Sequence, residues 1–213
     1  MYKTGIETKI KITDTAKRLF YRQGYKGTSI NQICLEADVK LGTFTYYFPK
    51  KDDLLSVLYS SYMQSCADYV NGKRPGLAPA QHHLFSVMMY YQNIYSDERI
   101  AAFHREVMEI ASMNNWFHDT RRLISSYSGN DVTGLDTDFY DLCVRADNAV
   151  RRELNLDFMR EGKTGREDVR ALLFDIYTLN AKLFNVDKDL TYKYLDEAYD
   201  FYLSEGNGDI RLL

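Results

Sequence analysis

With 213 residues, 45% of them hydrophobic and only three prolines, the chain is long enough for one medium domain or a small domain joined to a larger one, and its composition is that of a globular chain rather than a disordered one. Three widely spaced cysteines, Cys34, Cys66 and Cys143, exclude a disulfide framework and fit a reducing cytoplasm. The net charge of −3 hides an asymmetry: residues 1–59 carry ten Lys and Arg against six Asp and Glu, a net of +4, while residues 60–213 carry seventeen against twenty-four, a net of −7.

A basic head on an acidic body suits an anionic polymer at one end only. The N-terminal stretch "MYKTGIETKIKITDTAK" has no apolar signal core, and the run "LFSVMMYY" is far too short to span a bilayer, so the expectation is a soluble, cytoplasmic protein with no membrane partner.

In chain order, Ile12, Ala16, Leu19 and Phe20 recur at helical spacing and predict a first helix from about Thr8 to Gln23, stopped by Gly24. Thr28 or Ser29 can cap a second helix, and Gln32 stands three residues after Ser29 as a capping box requires. Ile30, Ile33, Cys34 and Ala37 form its inner stripe. "EADVK" interrupts the helix at Asp38, a residue type that tolerates left-handed geometry, and residues 40–47 restart it. Pro49 ends this third helix by biasing Phe48 toward extended geometry. A longer fourth helix follows from about Lys51 to Asn71, broken by "NGKRPGLAP", and helical spacing resumes over 77–95. Further helices are predicted over 98–113, 116–127, 137–160, 166–185 and 190–203. No strand pattern or repeat occurs, and the fold class is all-α.

Three short helices with a tight turn between the second and third make a helix-turn-helix whose third helix offers its outer face to the major groove. Phe44 and Phe48 are four apart and pack inward with Val39, which leaves Leu41, Gly42, Thr43, Thr45 and Tyr46 nearer the outside. Gly42 permits close backbone approach, Thr43 and Thr45 bring hydroxyls and methyls, and Leu41 suits a thymine methyl.

The stretch "TAKRLFYRQGYKGTSINQICLEADVKLGTFTYYFPKKDDLL" resembles the N-terminal pattern of the TetR family of bacterial transcription regulators. The elements in register are "LF" then "GY", "TS", the "ADV" turn, "GTF", "YYF", and a lysine followed by acidic residues and "LL". The resemblance implies that Thr28 and Ser29 meet backbone phosphate and that Gly42, Thr43 and Tyr46 approach bases or sugars. It also divides Tyr47 between core and phosphate, and places Lys51 on a phosphate with Lys50 assisting. Where the family usually has a turn glycine, a serine before the third helix and a tyrosine within it, this chain has Asp38, Lys40 and Thr45. The serine's cap is lost, Lys40 adds a phosphate contact, and Thr45 removes an aromatic one.

Residues 84–145 are rich in large, soft side chains, as the lining of an effector pocket requires; Met88, Tyr91, Phe103, Trp116 and Tyr140 are expected there, with His104 as a polar group. His82, His83, His104 and His118 fit no metal spacing such as HExxH, and no GxSxG or Gly-rich phosphate loop occurs, so neither an enzyme nor a cofactor is predicted. The resemblance implies that the last two helices pair with their copies in a homodimer, through Leu172, Ile176, Leu183, Tyr194, Ala198 and Tyr202. The expected division is a DNA-binding head over residues 1–50 and a ligand-binding and dimerisation body over 51–213. The function expected is a regulator, a repressor released from a palindromic DNA operator by a small-molecule effector. The alternative is a cytosolic helical interaction module whose head lacks specific operator binding.

Overall fold

The computed structural model describes residues 2–110 and 137–213. Nine helices and no strand occur among them: α1 (Tyr2–Gln23), α2 (Ile30–Glu36), α3 (Leu41–Tyr47), α4 (Lys51–Lys73), α5 (Pro79–Tyr95), α6 (Glu98–Met108), α7 (Thr137–Arg160), α8 (Arg166–Leu183) and α9 (Lys188–Glu205). The expected helix over 116–127 lies outside the described residues.

The first three helices close around Ile12, Ala16, Leu19, Phe20, Ile33, Ala37, Phe44 and Phe48, all excluded from solvent. Burial of each phenylalanine is worth about 2 kcal/mol, which holds two seven-residue helices that would not persist alone. α1 begins at Tyr2 rather than near Thr8. Its first turns carry Ile6 and Ile10 on the exposed surface, so no apolar periodicity marks them.

α4 leaves the head and enters the body, where α5 is the central helix. Every residue of α5 from Leu84 to Tyr95 is buried, which follows from its being packed against α4, α6, α8 and α9. Aspartates start the flanking helices: Asp97 accepts from the backbone N–H groups of Arg99 and Ile100, and Asp187 from that of Leu190. One apolar core runs through both regions, from Ile12 to Leu212.

Residues 206–213 fold back onto the body, a feature with no signal in the hydrophobic pattern. Asn93 Nδ2 donates to the carbonyls of Asn207 and Ile210, and Leu212 is fully buried. Gly208, at φ 61°, lies so close to the Tyr69 ring that a Cβ there would come within 2.7 Å of it.

Candidate nucleic-acid interface

Ser29 settles the choice of cap. Its Oγ accepts from the Gln32 N–H at 3.2 Å, and its own N–H donates to Gln32 Oε1 at 2.8 Å, a reciprocal capping box. Thr28 is turned inward instead: it is buried, its hydroxyl donates to the Gly24 carbonyl, and its N–H donates to that of Tyr25. The hydroxyl expected on a phosphate is therefore committed within the protein, and Ser29 is the exposed member of the pair.

Between α2 and α3 the chain reverses on Asp38, at φ 47°, with the Val39 N–H donating to the Cys34 carbonyl. Lys40 precedes α3 in extended geometry and its side chain caps nothing, so the N–H groups of Thr43 and Phe44 are met by the Lys40 carbonyl. α3 buries Phe44 and sets Phe48 beneath it, with ring centroids 5.8 Å apart. Its outer side then carries Leu41 at 52% exposure, Gly42, Thr45 and Tyr46 at 79% exposure, with Thr43 half-buried beside them. A Cβ at Gly42 would meet nothing within 4 Å. The Thr45 hydroxyl donates back to the Leu41 and Gly42 carbonyls, which leaves its methyl outward. Tyr47 is half-buried, edge-on to Tyr46, and its hydroxyl lies beside Gly5 of α1, where a Cβ would sit 3.2 Å away.

Lys51 is half-buried. Its Nζ donates to the carbonyls of Tyr25 at 2.8 Å and Thr28 at 2.7 Å and stands 3.8 Å above the centre of the Tyr25 ring. Burial lowers its pKa, with Asp52 and Glu106 acting in the opposite direction. The Tyr25 hydroxyl bonds to Asp52 in the first turn of α4. Lys26 donates from its backbone to Glu106 and from Nζ to Glu109, both at the α6 end, and Phe20 stacks on Phe103 at 5.3 Å. The turn that starts α2 is thus tied to α4 and α6 at once.

This arrangement, an exposed seven-residue helix set by a tight turn over a buried aromatic pair, defines a helix-turn-helix head. The family model for bacterial regulatory proteins of the tetR family matches residues 12–58, which spans α1 from Ile12 through the first turns of α4. Over these residues the head is similar to the N-terminal domain of tetR-family regulators. It is 34% identical over 84 residues to the HTH-type transcriptional regulator YuxN of Bacillus subtilis, covering 39% of this chain and 29% of the relative. Over 95 residues it is 30% identical to the regulator HbdR of Aromatoleum, covering 45% and 42%. Over 63 residues it is 33% identical to IcaR of Staphylococcus aureus, the negative transcriptional regulator of the biofilm operon icaADBC, covering 30% and 32%. The matches span less than half the length of each of these relatives. No solved structure matches the chain.

Of the residues expected at an effector pocket, Met88, Tyr91, Phe103 and His104 are all buried. Phe103 stacks between Phe20 and Tyr59, facing the head. His104 meets Tyr59 and Tyr95. Trp116 and the side chain of Tyr140 lie outside the described residues.

The sequence reading missed a buried polar seam on α7. Arg151 Nη2 bonds to Asp147, the Asn180 amide donates to the same carboxylate, and Asn155 accepts from the Tyr95 hydroxyl at 2.6 Å while donating to the Arg151 carbonyl. Burial disfavours the Arg151 cation, but Asp147 more than offsets this and the guanidinium stays charged. The signal was the spacing of 147, 151 and 155 between Val144 and Phe158, polar residues placed where an apolar stripe belongs.

The six expected dimer residues divide by burial within the protomer. Leu172, Ile176, Ala198 and Tyr202 are buried within the protomer against its own core, and only Leu183 and Tyr194 are half-buried. The exposed apolar positions of α8 and α9 are Leu179, Leu190 and Leu203. No helix among the described residues is long and apolar enough to cross a membrane.

Proposed function

We propose that this chain is a cytoplasmic, ligand-responsive DNA-binding transcription regulator that acts as a homodimer, a repressor released from a palindromic operator by a small-molecule effector. Residues 1–50 form the reading head and residues 51–213 the effector and dimerisation body. The observation that carries this reading is the outer face of α3. Leu41, Gly42, Thr45 and Tyr46 stand clear of a fully buried Phe44, and the space at Gly42 is demanded by nothing inside the protein. Thr43 and Tyr46 reach base edges or sugars from this face, and Tyr47 and Lys40 flank it toward the phosphates. Ser29 offers a helix N-terminus to one strand. Lys51 has three N–H donors, of which two rest on carbonyls, and it gives the third to the same backbone.

α6 supports the regulatory half of the reading. It carries His104 inside the body and Glu106 and Glu109 on the turn beneath the head. An effector that favours one setting of α6 shifts the head by its differential affinity for the two settings. Repression follows the example of IcaR, whose name states negative regulation. Dimerisation through Leu179, Leu183 and Tyr194 would place two heads on two half-sites.

Selection of random duplex DNA by the full-length protein at moderate salt tests the proposal, and an enriched inverted repeat is expected. Recovery of unenriched sequence would leave a helical interaction module as the better description.

A further inference from the structure

His104 is excluded from water, at 1% exposure, and only one of its ring nitrogens is satisfied. Nδ1 lies 2.8 Å from the Tyr59 hydroxyl. The phenol is itself buried, and burial pushes its pKa well above the ordinary value, so it stays protonated and is the donor in this pair. Nδ1 then accepts, and the proton of the neutral imidazole resides on Nε2. That N–H has no hydrogen-bond partner.

A buried N–H donor left unmet is costly and uncommon in a native interior. Its surroundings are aromatic: the Tyr95 ring stands edge-on at 6.1 Å, Tyr59 lies at 5.7 Å, and Tyr95 in turn packs against Tyr91 and Phe158. The formal charges of the neighbouring α7 seam, Arg151 and Asp147, neutralise each other across 3.1 Å. Among the described residues the region therefore presents one directed donor, aromatic rings and no unbalanced charge.

We propose that His104 Nε2–H is the polar anchor of the effector, and that the effector is an uncharged, ring-bearing molecule presenting a carbonyl or ether oxygen to it. The proposal rests on the reading of the body as an effector domain and gives that domain a ligand class. An acceptor completes the Tyr59–His104 pair, whereas a carboxylate would enter without a counter-charge of its own and a hydrocarbon would leave the N–H as it is.

Three naphthalene probes of one size test it: 2-acetylnaphthalene with a ketone, 2-ethylnaphthalene with no acceptor, and 2-naphthoate with a charge. Each is titrated calorimetrically into the full-length protein without DNA, so the result is independent of operator binding. The ketone is expected to bind about tenfold or more tightly than the ethyl compound and than the naphthoate. It should also move the ring ¹⁵N resonance of His104 Nε2. In His104→Phe the ketone and ethyl compounds should bind alike, and Tyr59→Phe, which frees the tautomer, should shrink the ketone preference. Equal binding of ketone and ethyl probes by the unaltered protein, tighter binding of the naphthoate, or no binding of any probe overturns the proposal. A ketone preference that survives His104→Phe overturns it as well. Failure to select an operator, with the ketone preference intact, would count against the DNA-binding reading alone.

Discussion

Lys51 Nζ hydrogen-bonds the carbonyl oxygen of Thr28 at 2.7 Å, so the first residue of the long helix holds shut the turn from which α2 starts. A residue expected to serve only DNA therefore also serves the fold. Lys51→Ala should lower stability by about 1.5–3 kcal/mol, the range for hydrogen bonds to a charged group, measured by urea denaturation. The same change should make the logarithm of DNA affinity against the logarithm of salt shallower by about one, the loss of one phosphate contact. Lys50→Ala, at an exposed position, should leave the urea midpoint where it is. An unchanged midpoint in Lys51→Ala would contradict the structural role, and an unchanged slope the phosphate role.

Gly42 separates binding from folding. It has no strained backbone and open space at its Cβ position, and alanine is the better helix former by up to about 1 kcal/mol. Gly42→Ala should keep or raise the melting temperature while weakening operator binding by about 1–3 kcal/mol, the scale of one base contact. Full affinity in a variant that melts normally would show that the helix does not approach the bases at this point.

The buried pair on α7 should behave asymmetrically. Asp147→Ala strands the Arg151 guanidinium in the core and is expected to cost about 3–5 kcal/mol. Replacing both residues by apolar ones, Asp147→Leu with Arg151→Met, should recover most of that loss in thermal unfolding. A double variant no more stable than the single one would mean that the seam depends on more than mutual neutralisation.

Stability should fall in mild acid. Burial pushes the His104 pKa from 6.5 down to about 3, so the unfolded chain binds a proton that the folded protein refuses. Unfolding therefore takes up protons between about pH 6.5 and about pH 3, and stability is lost as pH drops through that window. The His104 share of this loss reaches about 2 kcal/mol by pH 5, and His83, whose pKa burial likewise lowers to about 3, adds to the total. His104→Phe should flatten this part of the profile in chemical denaturation at a series of pH values; an undiminished slope would assign the acid sensitivity elsewhere.

The helical order was legible because apolar spacing and punctuation agree. The α7 range of 137–160 follows directly from its pattern, and the Ser29 and Gln32 cap was visible as two letters three apart. What was not legible has a common cause. The first turns of α1 bury little, so periodicity is silent there. The folded-back tail is held by Asn93, through bonds between residues more than a hundred positions apart. Leu172 and Tyr202 have the spacing of an interface, but spacing reports an apolar face without naming what covers it, and here the protomer's own core covers them.

The sequence by itself determined the helix-turn-helix head. Its two glycine and aspartate turns, its Ser29 cap, its Phe44 and Phe48 pair and its Pro49 stop are local signals, each acting within a few residues of itself. Only the tertiary structure decided that Lys51 is shared between the α2 turn and the outside, that Thr28 faces inward, and that a polar seam runs through the body beside His104. Those assignments depend on which helices come together across the chain, and the burial that makes a lysine, an arginine or a histidine informative exists only once they have done so.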